Sequence, residues 1–117
     1  MPAPAAAKPM HITSTRHPRA LVLALSGRLD ALAAEPAQQS ILEQLGEHAR
    51  VVLDLQDVDY LSSAGIRVLL VVAKTVGRRA DSLFCVARPS PVVRRILCDS
   101  GLDTCLGLTD DLAAVAD

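Results

Sequence analysis

Two adjacent hydroxyls, Ser62 and Ser63, stand in the stretch Tyr60-Leu61-Ser62-Ser63-Ala64-Gly65-Ile66-Arg67. They follow a β-branched run, Val51-Val52-Leu53-Asp54-Leu55, and an acidic stretch, Gln56-Asp57-Val58-Asp59. An apolar pattern at helical spacing comes next. The serines therefore belong to the start of a helix, beside the end of a strand. Backbone N–H groups at such a start have no intrahelical partner, and the helix dipole favours negative charge there. Two kinds of chemistry fit. The hydroxyl of Ser63 caps the helix, or it accepts a phosphoryl group that the helix terminus then stabilises. No His, Cys or Lys lies near the serines to activate a nucleophile, which weighs against a catalytic serine and against an enzyme.

Other reactive side chains make weaker patterns. The cysteines are Cys85, Cys98 and Cys105, with no Cys-x-x-Cys pair, and each has an apolar neighbour. They read as reduced, buried, small hydrophobes. The histidines His11, His17 and His48 lie in the first half at no ligand-like spacing, so neither a metal site nor a cofactor is expected. Asp54 at a strand's end suggests a flavodoxin-like receiver, but such receivers cluster acids at several strand ends, so this reading ranks lower. Asp30 and Asp54 read most simply as strand-end turn residues.

The elements that must position the serines follow from periodicity. Met10 to Thr15 is a weak strand. Ala20 to Leu25 is a stronger one, with Leu21, Leu23 and Leu25 on one face. Gly27-Arg28-Leu29-Asp30 reads as the exit from the sheet. Ala33 to Glu47 is a helix, with Pro36 in its first turn. Val51 to Leu55 is a buried parallel strand. Ser63 to Val76 is the second helix, with Ile66, Leu69, Leu70, Ala73 and Val76 as its apolar stripe. Ser82 to Val86 is a strand. Ser90-Pro91 starts a helix that Gly101 ends, with Arg94 and Arg95 on a solvated face. Leu106 to Leu108 reads as a last short strand, and Thr109-Asp110-Asp111 caps a final helix. The alternation predicts an α/β domain with a mixed sheet of four to five strands and about four helices.

Bulk properties narrow the function. At 117 residues the chain is of one-domain size, and half of it is hydrophobic. Its only aromatic residues are Tyr60 and Phe84, so it lacks the stacking platforms of single-strand nucleic-acid binders. The formal net charge of −1 supplies no phosphate-tracking surface, and direct nucleic-acid binding is not expected. The longest apolar runs, Ala20 to Leu25 and Val68 to Ala73, fall far short of the ~20 residues of a membrane span. Residues 1–9 are small and proline-rich and read as a flexible tail rather than a signal peptide, leaving 10–117 as the domain. A cytoplasmic location is the expectation.

With these pieces in order, the chain resembles the anti-sigma factor antagonist family, the bacterial STAS domains, from about Leu21 to Asp117. Gly27-Arg28-Leu29-Asp30 matches the family's strand-exit motif. Val51 to Leu55, through Val58, matches its buried strand and loop. Leu61-Ser62-Ser63-Ala64-Gly65-Ile66 matches its serine motif. Ser90-Pro91-Val92-Val93-Arg94-Arg95 and Ser100-Gly101-Leu102 match a later run. Aligned on Gly65, the family's phosphoacceptor position is Ser63. Ser62 stands where many members have aspartate, and Ala64 where they have a second hydroxyl.

The resemblance implies partner switching. The unphosphorylated protein binds an anti-sigma factor that is also a GHKL-type serine kinase, and so frees a sigma factor. The kinase phosphorylates Ser63 with ATP and the complex separates. A metal-dependent serine/threonine phosphatase restores it. The implied partner-binding surface is Asp30, Ser62, Ala64, Gly65 and Arg67, with Gly65 allowing the kinase close approach. The alternative is a STAS subunit that is never phosphorylated, or a nucleotide-binding module, in a lipid-transport or scaffold assembly.

Overall fold

A computed structural model describes residues 10–117, so the expected tail at residues 1–9 lies outside the described residues. The elements alternate as the periodicity predicts. They are β1 (His11–Arg16), β2 (Leu21–Leu29), α1 (Ala31–Leu45), β3 (Arg50–Leu61), α2 (Ser63–Gly77), β4 (Leu83–Ala87), α3 (Pro91–Asp99), β5 (Leu108–Thr109) and α4 (Leu112–Ala116). The sheet order is β1-β2-β3-β4-β5. β1 is antiparallel to β2, and the other neighbours are parallel. The sheet is therefore mixed, with five strands, and the chain is α/β.

Strand alternation divides the apolar residues between two faces. Leu21, Leu23, Leu25 and Leu29 of β2 and Val51, Leu53, Leu55, Val58 and Leu61 of β3 pack with the apolar stripes of α1, α2 and α3. Those stripes are Ala34, Ala37, Ile41 and Leu45; Val68, Leu69, Val72 and Val76; and Val93 and Leu97. A smaller cluster on the opposite face joins Ala20, Val22, Val52, Cys85 and Ala87 to Ala116 of α4. Burial here rests almost wholly on aliphatic side chains, each contributing roughly 1.5–3 kcal/mol when fully buried.

Two strands are longer than expected, and the difference shapes the site. Gly27-Arg28-Leu29 does not leave the sheet. These residues pair with Val58, Tyr60 and Leu61 of β3, across register shifts between Ala24 and Ser26 and between Gly27 and Arg28. Gly27 has φ 110°, a conformation that suits glycine, and so lets the strand continue through the irregularity. The stretch Gln56 to Asp59 is likewise strand and not loop. Asp57 and Asp59 face solvent while Val58 is fully buried between them. Their exposure lets two residues of poor strand propensity continue β3, because the extended β2 supplies the ladder.

Smaller corrections follow. Helix α1 starts two residues earlier than expected, capped by Asp30, so Pro36 lies inside it rather than in its first turn. Asp30 is thus a helix cap and not merely a turn residue. Asp54 is not at a strand end either. It is a buried carboxylate within β3, paired with Arg88 through Nη2–Oδ2 at 2.5 Å and Nε–Oδ1 at 3.3 Å. Arg88 has φ 49°, and its N–H donates to the Thr109 carbonyl at 2.8 Å. The pair therefore ties the exit of β4 to the middle of the sheet. Arg94 is not simply solvated: it forms an ion pair with Asp110. The short β5 is displaced from the expected Leu106 to Leu108, because Leu106 turns into the core.

Of the cysteines, only Cys85 is buried; Cys98 and Cys105 are exposed. An apolar sequence neighbour does not bury these two, because Cys98 lies off the Val93–Leu97 stripe of α3 and Cys105 is in the turn-rich segment before β5. Burial pushes the Cys85 thiol up, partly offset by Arg50. A short iodoacetamide pulse on native protein at neutral pH should therefore label Cys98 and Cys105 and spare Cys85 until the protein is denatured. Peptide mass spectrometry reads this directly, and native labelling of Cys85 would mean that the α4-covered face opens readily.

Candidate functional site

The carbonyl of Leu29 organises the start of α2. Leu29 and Leu61 are Cα partners at the ends of β2 and β3. One residue later, the Ser62 N–H donates to the Leu29 carbonyl at 3.0 Å, and the Ser62 hydroxyl lies 3.4 Å from the same oxygen. The Ser62 oxygen accepts from the Gly65 N–H at 3.2 Å, so Ser62 is the cap of α2. Ile66 N–H donates to the Ser62 carbonyl at 2.9 Å, closing the first helical turn.

This assignment leaves Ser63 a different role from the cap expected of a bare helix start. It is the first residue of α2 and is exposed. The N–H groups of Ser63 and Ala64 belong to the first turn and have no acceptor four residues back within the helix. An oxyanion on the Ser63 side chain would thus lie beside backbone donors and the positive end of the helix dipole. The two serines divide the work: one holds the helix, and the other presents a hydroxyl.

Gly65 is buried, and its role is internal. A Cβ built on it would lie 2.3 Å from the Leu29 carbonyl oxygen and 3.0 Å from the Leu29 Cγ. Only glycine lets the first turn of α2 seat this closely on the end of β2. The close approach that Gly65 permits within the domain is that of its own β2. Ala64 is half-buried, and Arg67 is exposed one turn further along α2.

Asp30 lies on the same rim. It follows Leu29 as Ser62 follows Leu61, and its Oδ1 accepts from the N–H groups of Leu32 at 3.1 Å and Ala33 at 3.0 Å. The other carboxylate oxygen is 3.8 Å from the Arg28 Nε. Arg28 in turn lies over the Tyr60 ring, 4.4 Å from its centroid. The rim thus carries Arg28, Asp30, Tyr60 and Ser62 next to Ser63. Arg28 and Tyr60 were not singled out from sequence, because the strands were expected to end before them. Their signal is the alternation Arg28-Leu29 opposite Tyr60-Leu61, apolar inward and polar outward.

Among the described residues no group of His, Cys, Asp and Glu is arranged to hold a metal ion, and no helix is long and apolar enough to cross a membrane.

Comparison with known proteins places this architecture. The STAS domain family model matches residues 11–114, and the chain belongs to that family. It is 34% identical over 93 residues, 79% of each chain, to BtrV of Bordetella bronchiseptica, named as an anti-sigma factor antagonist. The crystal structure of an anti-sigma factor antagonist from Mycobacterium paratuberculosis superposes with a TM-score of 0.81, covering 91% of this chain and 90% of that one at 24% identity. The phosphorylated form of the Bacillus cell fate determinant SpoIIAA has the same fold, with a TM-score of 0.64 at 20% identity over 90% of this chain and 93% of that one.

Proposed function

We propose that this STAS domain is an anti-sigma factor antagonist that works by partner switching, with Ser63 as its phosphoacceptor. Its role is regulatory rather than catalytic, and it acts in the cytoplasm. Unphosphorylated, it binds an anti-sigma factor that is also a GHKL-type serine kinase. Phosphorylation of Ser63 ends the complex, and a metal-dependent serine/threonine phosphatase resets it. The observation that carries this reading is the division between Ser62, which caps α2, and Ser63, which is exposed at its first position. Asp30, Ser62, Ala64 and Arg67 supply the surrounding contact surface, and Gly65 holds it at the end of β2. That relatives on this fold are named anti-sigma factor antagonists supports the same reading.

The nucleotide-binding alternative has less support. An open groove runs past His11, Ser26, Gln56, Asp57, Asp59 and Ser90, and among the described residues neither lysine nor arginine lines it. Two carboxylates repel rather than hold a polyphosphate.

The test is to incubate the protein with a purified GHKL-type anti-sigma kinase of its own genome and ATP, and to map the phosphate by mass spectrometry. Phosphate is expected on Ser63, and Ser63→Ala should take up none. Phosphate on Ser62 alone, or on no residue with a kinase shown to be active, overturns the assignment.

A further inference from the structure

Large apolar side chains in the described residues are buried or partly buried, with two exceptions: Leu32, 90% exposed, and Val92, 50% exposed. Both stand at the second position of a helix that follows a parallel strand, α1 after β2 and α3 after β4. Ser63 occupies the first position of α2, which follows β3. The two unburied apolar side chains therefore belong to the end of the sheet that carries the proposed phosphoacceptor. Scattered surface leucines need no explanation. A nearly naked leucine in a capped first turn, at the same end of the sheet as Ser63, does.

Leu32 is presented, not loose. Its own N–H donates to Asp30 Oδ1 at 3.1 Å, and the next N–H donates to the same oxygen at 3.0 Å. Asp30 follows Leu29, whose carbonyl also receives the Ser62 N–H. One backbone residue thus links the first turn of α1 to the first turn of α2. At 100° per residue, Leu32 points about 200° away from Ala34, on the face opposite the buried Ala34, Ala37, Ile41 and Leu45 stripe. It contributes little to its own core. An apolar side chain whose backbone is already fixed has less entropy to lose on docking, so more of its burial counts toward affinity.

We infer that Leu32 is the apolar anchor by which the partner is recognised, seated in a recess of the anti-sigma kinase while Ser63 faces that kinase's active site. This rests on the partner-switching reading above and adds the residue that would supply affinity beside the one that switches it. The occupant follows from continuity with the phosphoacceptor: a protein that must bring a kinase site to Ser63 covers the adjoining first turn of α1.

The experiment uses the full chain and the purified anti-sigma kinase of its genome. Leu32→Ala should bind that kinase at least about tenfold more weakly by calorimetry. It should raise KM for phosphorylation of Ser63 and leave kcat nearly unchanged, since the serine itself is untouched. Its melting temperature should match the wild type, because the side chain is already in solvent. Leu32→Met, which keeps the apolar bulk, should restore most of the affinity. If the wild-type protein binds and is phosphorylated while Leu32→Ala does both equally well, the anchor assignment is wrong and the partner-switching reading stands. If the wild-type protein neither binds nor is phosphorylated by an active kinase, the functional reading fails and the anchor falls with it.

Discussion

Phosphorylation of Ser63 is expected to weaken the complex with the anti-sigma kinase by about 100-fold or more, some 2.7 kcal/mol. A phosphoserine carries about −1.5 to −2 charges at neutral pH. Ser63 is exposed in the free protein, so the charge is well solvated there and sits favourably at the start of α2. In the complex the same charge must lose water. Removing an ion from solvent costs several kcal/mol unless the partner supplies matched donors. The switch therefore acts on the complex and leaves the free domain intact. Ser63→Asp adds only one charge and should weaken binding at least about tenfold, or 1.4 kcal/mol. It should melt within a few degrees of the wild type, because an anion at this position is worth roughly +0.3–1 kcal/mol to the helix. Ser63→Ala should bind persistently in the presence of ATP. Calorimetry on the wild-type, phosphorylated, Asp and Ala forms gives the four affinities. If all four are equal, the interface lies away from the start of α2.

Much of this site is legible in the sequence, for identifiable reasons. The Val51 to Leu55 run, the helical stripe after Ser63 and the Ser90-Pro91 start are strong local signals, and each became the expected element. The strand-to-helix change at Ser62 and Ser63 marks the start of α2, and only the family resemblance singles out Ser63 within it. Local signals failed where a distant segment decided the outcome. Gln56 to Asp59 and Gly27 to Leu29 each look like loops, and each is strand because the other supplies its hydrogen-bond partners. Asp54 looks like a turn residue until Arg88, 34 positions on, closes on it. Leu32 falls outside the helix if Asp30 is a turn residue and inside it if Asp30 is the cap, as it is. Recognising the cap places Leu32 opposite the buried stripe, from sequence alone.

The internal contact of Gly65 is equally hidden from local sequence. A glycine in a serine motif invites a reading about close approach by a partner. What approaches is the Leu29 carbonyl, which sequence gives no means of placing there. This oxygen receives the Ser62 N–H, lies against Gly65 and precedes the residue that caps α1. The position of Ser63 thus depends on a backbone contact between two chain segments more than 30 residues apart.

Gly65→Ala tests that dependence, with an internal control in the same helix. At Gly65 the added methyl would lie 2.3 Å from a backbone oxygen, so either the first turn of α2 or the end of β2 must move. Overpacking against an unyielding neighbour typically costs about 1–3 kcal/mol, a fall in melting temperature of roughly 5–15 °C for a domain of this size. At Gly77, the last residue of α2, an added methyl meets nothing within 4 Å. Gly77→Ala should therefore be neutral or stabilising by up to about 1 kcal/mol, through the smaller entropy of the unfolded chain. The same chemical change is therefore expected to destabilise at one end of the helix and not at the other. Thermal denaturation followed by circular dichroism measures both. Phosphorylation supplies the functional half of the test. Gly65→Ala displaces the turn that presents Ser63 and should lower kcat/KM for its modification even where the protein remains folded, whereas Gly77→Ala should leave it unchanged. Equal melting temperatures for the two variants would show that the start of α2 is free to slide on β2, and that the Leu29 carbonyl does not set the position of the acceptor.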